Sequence, residues 1–128
     1  MANQRNNNLE EAACPISRWD LLKAQLNNLS PVAFRQMLEQ SEDAILIDVR
    51  TPAEFATGHI EGAINIDYLG DGFWEKMETL PVEKTYFVYC RTHRRSTRAC
   101  TLMANGGFDR SRIYNMNGGY SEWSKQFS

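Results

Sequence analysis

Short apolar runs alternate along this chain with stretches whose apolar positions recur at helical spacing. The runs are Ala44-Ile45-Leu46-Ile47-Asp48-Val49, Ala63-Ile64-Asn65-Ile66, Phe87-Val88-Tyr89 and Ile113-Tyr114-Asn115-Met116. Their brevity, near-continuous apolarity and β-branched or aromatic content predict strands buried on both faces of a mainly parallel sheet. Between them the pattern predicts helices. Ile16, Trp19, Leu22 and Leu26 line one face of a helix over 16–27. Ser30 as N-cap and Pro31 at the first helical position open a second helix, with Val32, Phe34, Met37 and Leu38 facing inward. Thr51 and Glu54 have the spacing of a capping box for a short helix to about residue 56, stopped by Gly58. Further helices are predicted over 73–80, ended by Pro81, and over 95–105, ended by Gly106-Gly107. A terminal helix carries Tyr120 and Trp123. Strands and helices in alternation predict an α/β layered fold. In such folds ligands bind beyond the carboxyl ends of strands, where Cys90 and Asp48 both fall.

The strand ending at Tyr89 runs straight into Cys90, Arg91, Thr92, His93, Arg94, Arg95 and Ser96, after which a helix begins. N–H groups at a helix start carry partial positive charge and bind anions. The thiolate is the nucleophilic form of cysteine, and arginines or a helix N-terminus favour it. Cysteine more often serves as a small buried hydrophobe. The dense basic loop, with Arg98 one turn further on, turns the reading of Cys90 towards an activated nucleophile.

The rest of the composition narrows the setting. At 128 residues the chain has the size of one domain, and its 42% hydrophobic and 23% charged content is ordinary for a globular protein. The formal net charge is −2, so positive charge is local to the loop and nucleic acid is not an expected partner. Three cysteines, Cys14, Cys90 and Cys100, form no CxxC or zinc spacing, and the two histidines lie far apart. No metal site is therefore expected, and free thiols point to a reducing, cytoplasmic setting. No apolar run is long enough to span a membrane, and the Asn-rich N-terminus has no secretory signal. Residues 1–15 are expected to form a disordered extension and residues 16–28 an extra helix, ahead of a domain over 29–128.

Three motifs, in order, resemble the rhodanese-like (sulfurtransferase) family. The first is Ile47-Asp48-Val49-Arg50-Thr51-Pro52-Ala53-Glu54-Phe55, followed by Gly58-His59-Ile60-Glu61-Gly62-Ala63. The second is the loop Cys90 to Ser96, and the third is Asn117-Gly118-Gly119-Tyr120 with Trp123. The resemblance covers about residues 29–128. It implies a three-layer α/β fold with a mainly parallel sheet, and a Cys90 persulfide that takes sulfane sulfur from a donor such as thiosulfate. A thiol, or cyanide in an assay, would then accept the sulfur. Loop amides and arginines (Arg91, Thr92, His93, Arg94, Arg95 and Ser96) would hold the anionic groups. No cofactor is implied beyond the covalent persulfide. The partners would be a small anionic donor and a thiol acceptor, with a protein donor or acceptor as a further option.

Two alternatives follow from the same residues. One is a non-enzymatic module of this fold that binds a partner or carries sulfur to it. The other is phosphatase or arsenate reductase chemistry. The related dual-specificity phosphatases have a Cys-x5-Arg loop, whereas Cys90 to Arg95 is Cys-x4-Arg and position seven is Ser96, which favours sulfur. Many active members of the family carry glycine where this chain has His93. Glycine permits positive φ there, so His93 implies strained backbone or a differently shaped loop. Its imidazole would be a plain exposed loop side chain, or would add positive charge or exchange protons near the sulfur. Asp48 and Arg50 are expected to pair and steady the loop, or Arg50 to touch the substrate. Glu54 is expected to start a helix, His59 to satisfy a turn, Cys100 to be buried, and Arg95 to be held by a salt bridge.

Overall fold

The computed structural model describes residues 18–127. Cys14, the expected extension and the start of the first predicted helix lie outside the described residues. In chain order the elements are α1 (Arg18–Ala24), β1 (Asn27–Leu29), α2 (Pro31–Gln40), β2 (Ala44–Asp48), α3 (Pro52–Thr57), β3 (Ile64–Asn65), α4 (Phe73–Glu78), β4 (Thr85–Tyr89), α5 (Arg94–Asn105), β5 (Ile113–Met116) and α6 (Gly119–Phe127). A single 3₁₀ turn, Arg110–Arg112, precedes β5. The strands form one sheet in the order β1-β5-β4-β2-β3, and every pairing is parallel. The α/β layered expectation therefore holds. No helix among the described residues is long and apolar enough to cross a membrane.

Sheet alternation divides the side chains into two layers. Ile47, Val49, Tyr86, Val88 and Cys90 point to one face, where Ala99, Cys100 and Met103 of α5 and Phe73 and Met77 of α4 close over them. Leu46, Phe87 and Tyr89 point to the other, packed with Phe34 of α2 and with Tyr120 and Trp123 of α6. Successive strand residues face opposite ways, so adjacent residues of β4 serve different cores. Phe34, Phe87 and Met103 are fully enclosed, and each such side chain contributes roughly 1.5–3 kcal/mol of burial free energy.

One element departs from the sequence pattern. The helix predicted to residue 27 ends at Ala24, and Asn27 begins a fifth strand, β1, paired with β5. This strand is held by polar bonds as well as by its backbone. Asn27 Nδ2 donates to the carbonyls of Arg110 and Ile113, each at 3.0 Å. An Asn-Asn-Leu segment has no apolar alternation to reveal it. The remaining boundaries differ by one or two residues, the usual fraying of element ends.

Candidate active site

Cys90 follows β4 directly and is 1% exposed. Strand parity turns its side chain towards α5, which begins four residues later. The first rung of α5 is the Thr97 N–H donated to the His93 carbonyl at 2.9 Å. The amides of Arg94, Arg95 and Ser96 precede that rung, at the end of the helix where the dipole is positive. Cys90 Sγ lies 3.4 Å from Ser96 Oγ. Ser96 and Thr97 are both fully buried beneath the loop.

Three clamps hold this loop. The first is Arg95, whose guanidinium donates to both carboxylate oxygens of Glu54, at 2.7 and 3.0 Å. Glu54 also completes the α3 capping box with Thr51. The Arg95 bond, joined by the Thr51 backbone, outweighs burial and holds the Glu54 carboxyl down at about 2, against an ordinary 4.5. Glu54 in turn raises the pKa of Arg95, opposed by burial and reinforced by Cys90 and Asp67. The expected salt bridge on Arg95 is thus present. Its partner was assigned only a helix-start role from the sequence, and the two lie 41 residues apart.

The second clamp is the start of α6. Tyr120 N–H donates to the Cys90 carbonyl at 2.8 Å and Ser121 N–H to the Arg91 carbonyl at 2.9 Å. Gly119 sits at φ +60, and a Cβ there would fall 2.5 Å from the Thr92 carbonyl oxygen and 2.6 Å from that of Arg91. Gly119 therefore lets the α6 start press against the loop backbone.

The third clamp is Asp48 with Arg50. Asp48 is fully buried and Arg50 is 4% exposed. The guanidinium donates Nε to both Asp48 oxygens at 3.0 Å and Nη2 to Asp48 Oδ2 at 2.8 Å. Nη2 also reaches the Gly58 carbonyl at 2.6 Å. Burial opposes the charge on Arg50, but its bonds to Asp48 outweigh that and raise its pKa. The guanidinium lies 4.5 Å over the Tyr120 ring. Asp48 is in register with Tyr89, so it faces away from Cys90 Sγ. This arrangement supports the loop through Tyr120 and commits Nε and Nη2 of Arg50 to Asp48 and the Gly58 carbonyl.

His93 is the N-cap of α5 at φ −176. That is extended backbone open to any residue, so the positive φ expected from the usual glycine is not required. Burial, with Lys23 and Arg94 adding to it, pushes the His93 imidazole pKa below its ordinary value. That shift works against the added positive charge that was one of the sequence-based options for His93. Lys23 belongs to α1, which brings the N-terminal helix beside the loop. Arg91, Arg94 and Arg98 are exposed and Thr92 faces solvent with them. Cys100 is fully buried, and burial raises its thiol pKa. His59 Nδ1 donates to the Phe55 carbonyl at 2.8 Å and its ring stacks on Phe55.

Fold and loop together define an α/β domain with a cysteine seated under a basic helix start. The chain belongs to the rhodanese-like domain family, whose model matches residues 30–126. It is 31% identical over 100 residues to a sulfurtransferase of Allochromatium vinosum, covering 78% of this chain and 90% of the relative. It is 35% identical over 89 residues to thiosulfate sulfurtransferase 16, chloroplastic, of Arabidopsis thaliana, covering 62% and 72%. Among solved structures, the polysulfide-sulfur transferase homodimer of Wolinella succinogenes superposes with a TM-score of 0.69 at 26% identity, covering 85% of this chain and 80% of that one.

Proposed function

We propose that the protein is a sulfurtransferase that carries sulfane sulfur on Cys90. The observation that carries this reading is the placement of Cys90 Sγ at the end of β4, 3.4 Å from the Ser96 hydroxyl at the start of α5. The Cys90 thiolate attacks the outer sulfur of thiosulfate. The sulfur–sulfur bond of the donor breaks, and sulfite leaves with the bonding pair. The outer sulfur remains on Cys90 as an anionic persulfide. An acceptor thiolate then attacks that sulfur, forms its own persulfide and returns Cys90 as thiolate. Dividing one transfer into two displacements is the gain of covalent catalysis. The helix-start amides favour negative charge at each stage. The near-complete enclosure of Cys90 shields the persulfide from bulk water. Family membership and the relatives named as sulfurtransferases support this reading, and the names of two of them make thiosulfate and polysulfide the donors to try.

The test is intact-mass spectrometry after incubation with thiosulfate or polysulfide, on wild type and Cys90→Ser. The expected result is a gain of one sulfur atom on wild type only, removed by a thiol. Absence of the gain with both donors, on folded and reduced protein, would sink the proposal and leave a partner-binding module as the better reading.

A further inference from the structure

The His93 carbonyl is approached by three hydrogen-bond donors. Thr97 N–H lies at 2.9 Å, Thr97 Oγ1 at 2.7 Å and Ser96 Oγ at 3.1 Å. A carbonyl oxygen has two lone pairs, and the two Thr97 donors are the shorter contacts. The Ser96 hydroxyl is thus surplus on that carbonyl, and its nearest alternative acceptor is Cys90 Sγ at 3.4 Å.

Buried bonds further back fix which way the Thr97 hydroxyl points. Asn115, on β5 and fully buried, donates from Nδ2 to Thr97 Oγ1 at 3.1 Å and to Asn28 Oδ1 at 2.9 Å. Because Asn115 supplies a hydrogen to Thr97 Oγ1, the Thr97 hydroxyl hydrogen is left for His93. The Asn28 amide is oriented in turn by Nδ2 bonds to the carbonyls of Lys23 and Leu26, at 2.8 and 3.2 Å. The polar chain runs from the end of α1 through β1 and β5 to the start of α5, and every donor in it has one direction.

We propose that Thr97 and Asn115 are positioning residues that saturate the His93 carbonyl and so release the Ser96 hydroxyl to donate to anionic sulfur on Cys90. In the resting thiol the Cys90 S–H donates to Ser96 Oγ, and the Ser96 hydrogen rests on His93. When Cys90 loses its proton, the Ser96 hydroxyl turns to the sulfur and the His93 carbonyl keeps both Thr97 bonds. Other charged or titratable groups around the sulfur are Arg95 with Glu54 and Asp67, and Cys100. None of them depends on the Ser96 hydroxyl. Local back-bonding of Ser and Thr to a preceding carbonyl is common at helix starts. If it were all that occurs here, Ser96 and Thr97 would act independently.

The proposal rests on Cys90 being the nucleophile, and its test is read separately from sulfur transfer. The rate of Cys90 alkylation by iodoacetamide at neutral pH is followed by peptide mass mapping, which separates Cys90 from Cys14 and Cys100. Sulfur loading from thiosulfate is measured alongside it. Ser96→Ala is expected to slow alkylation about tenfold, the scale of one hydrogen bond to a charged group. Thr97→Val, isosteric but without the hydroxyl, is expected to slow it several-fold, with Thr97→Ser restoring the rate. The double variant Ser96→Ala/Thr97→Val should be no slower than Ser96→Ala alone, since Thr97 acts through Ser96. Thr97→Ala is the second hydroxyl-free variant if the valine does not fold, with folding read from thermal melts. Losses that multiply in the double variant, or a folded Thr97 variant at the wild-type rate, would overturn the proposal. Wild-type Cys90 that alkylates with the expected coupling but takes up no sulfur would leave the relay standing and remove the sulfurtransferase reading.

Discussion

His93 gives the loop its carbonyl, the acceptor for the first rung of α5. Any residue supplies that carbonyl. His93→Gly is therefore expected to keep sulfur loading at or above the wild-type rate, and to cost only a few tenths of a kcal/mol, since glycine is accepted at an N-cap. A collapse of loading in the mass assay would show that the imidazole takes part. Glu54 is a contrasting case, because its side chain carries the role. Its carboxyl is held at about 2 in the folded protein against an ordinary 4.5. A depressed carboxyl stabilises the fold fully above its unfolded value and loses that stabilisation as pH falls through the folded one. The Glu54–Arg95 contribution is thus complete above about pH 4.5 and fades as pH falls towards 2. Glu54→Gln should lower stability at neutral pH by roughly 1 kcal/mol or less, as for partly exposed pairs. It should also flatten the acid limb of a denaturation profile taken between those two values. The local sequence pointed to Cys90, the basic loop and the Thr51–Glu54 cap, because each is a contiguous pattern. It did not pair Glu54 with Arg95, because that contact is made by the fold. An internal Asn in the apolar run 113–116 was the one visible sign that β5 carries a buried polar group.

At the level of elements, α6 and α5 meet at the loop from opposite faces of the sheet. Gly119 makes that meeting close enough for Tyr120 and Ser121 to bond the Cys90 and Arg91 carbonyls. Gly119→Ala would combine an unfavourable left-handed backbone, about 1–2 kcal/mol, with a collision against the Thr92 and Arg91 carbonyls. We expect at least ~2 kcal/mol of lost stability in urea titration, and slower sulfur loading because the displaced atoms belong to the loop. Gly107 has φ +114 with nothing within 4 Å of an added Cβ. Gly107→Ala should therefore cost the strain alone and leave loading unchanged. The helices with Ser-Pro and Thr-Pro starts were legible because capping is local chemistry. Strand β1 was not, because an Asn-rich trio becomes a strand only once β5 is beside it.

For the whole molecule, the sheet separates function from support. Cys90 faces the α4–α5 layer, while Asp48, Arg50, Tyr89 and Tyr120 sit in the α2–α6 layer. Removing Arg50 would strand a buried Asp48 carboxylate. Arg50→Met is accordingly expected to cost about 3–5 kcal/mol, seen as a lower urea midpoint. On whatever fraction stays folded, donor KM should be near the wild-type value. A raised KM in folded protein would mean that Arg50 reaches the substrate after all. The two ends of the sheet carry a separate consequence. Its outer strands are β1 with three residues and β3 with two, and Asn27 and Asn28 spend their side chains on the protein's own carbonyls and on Asn115. So little strand edge, three of its five residues asparagine, gives a neighbouring chain little to pair with. Short edges of this kind make a five-stranded parallel sheet a poor template for strands from another chain.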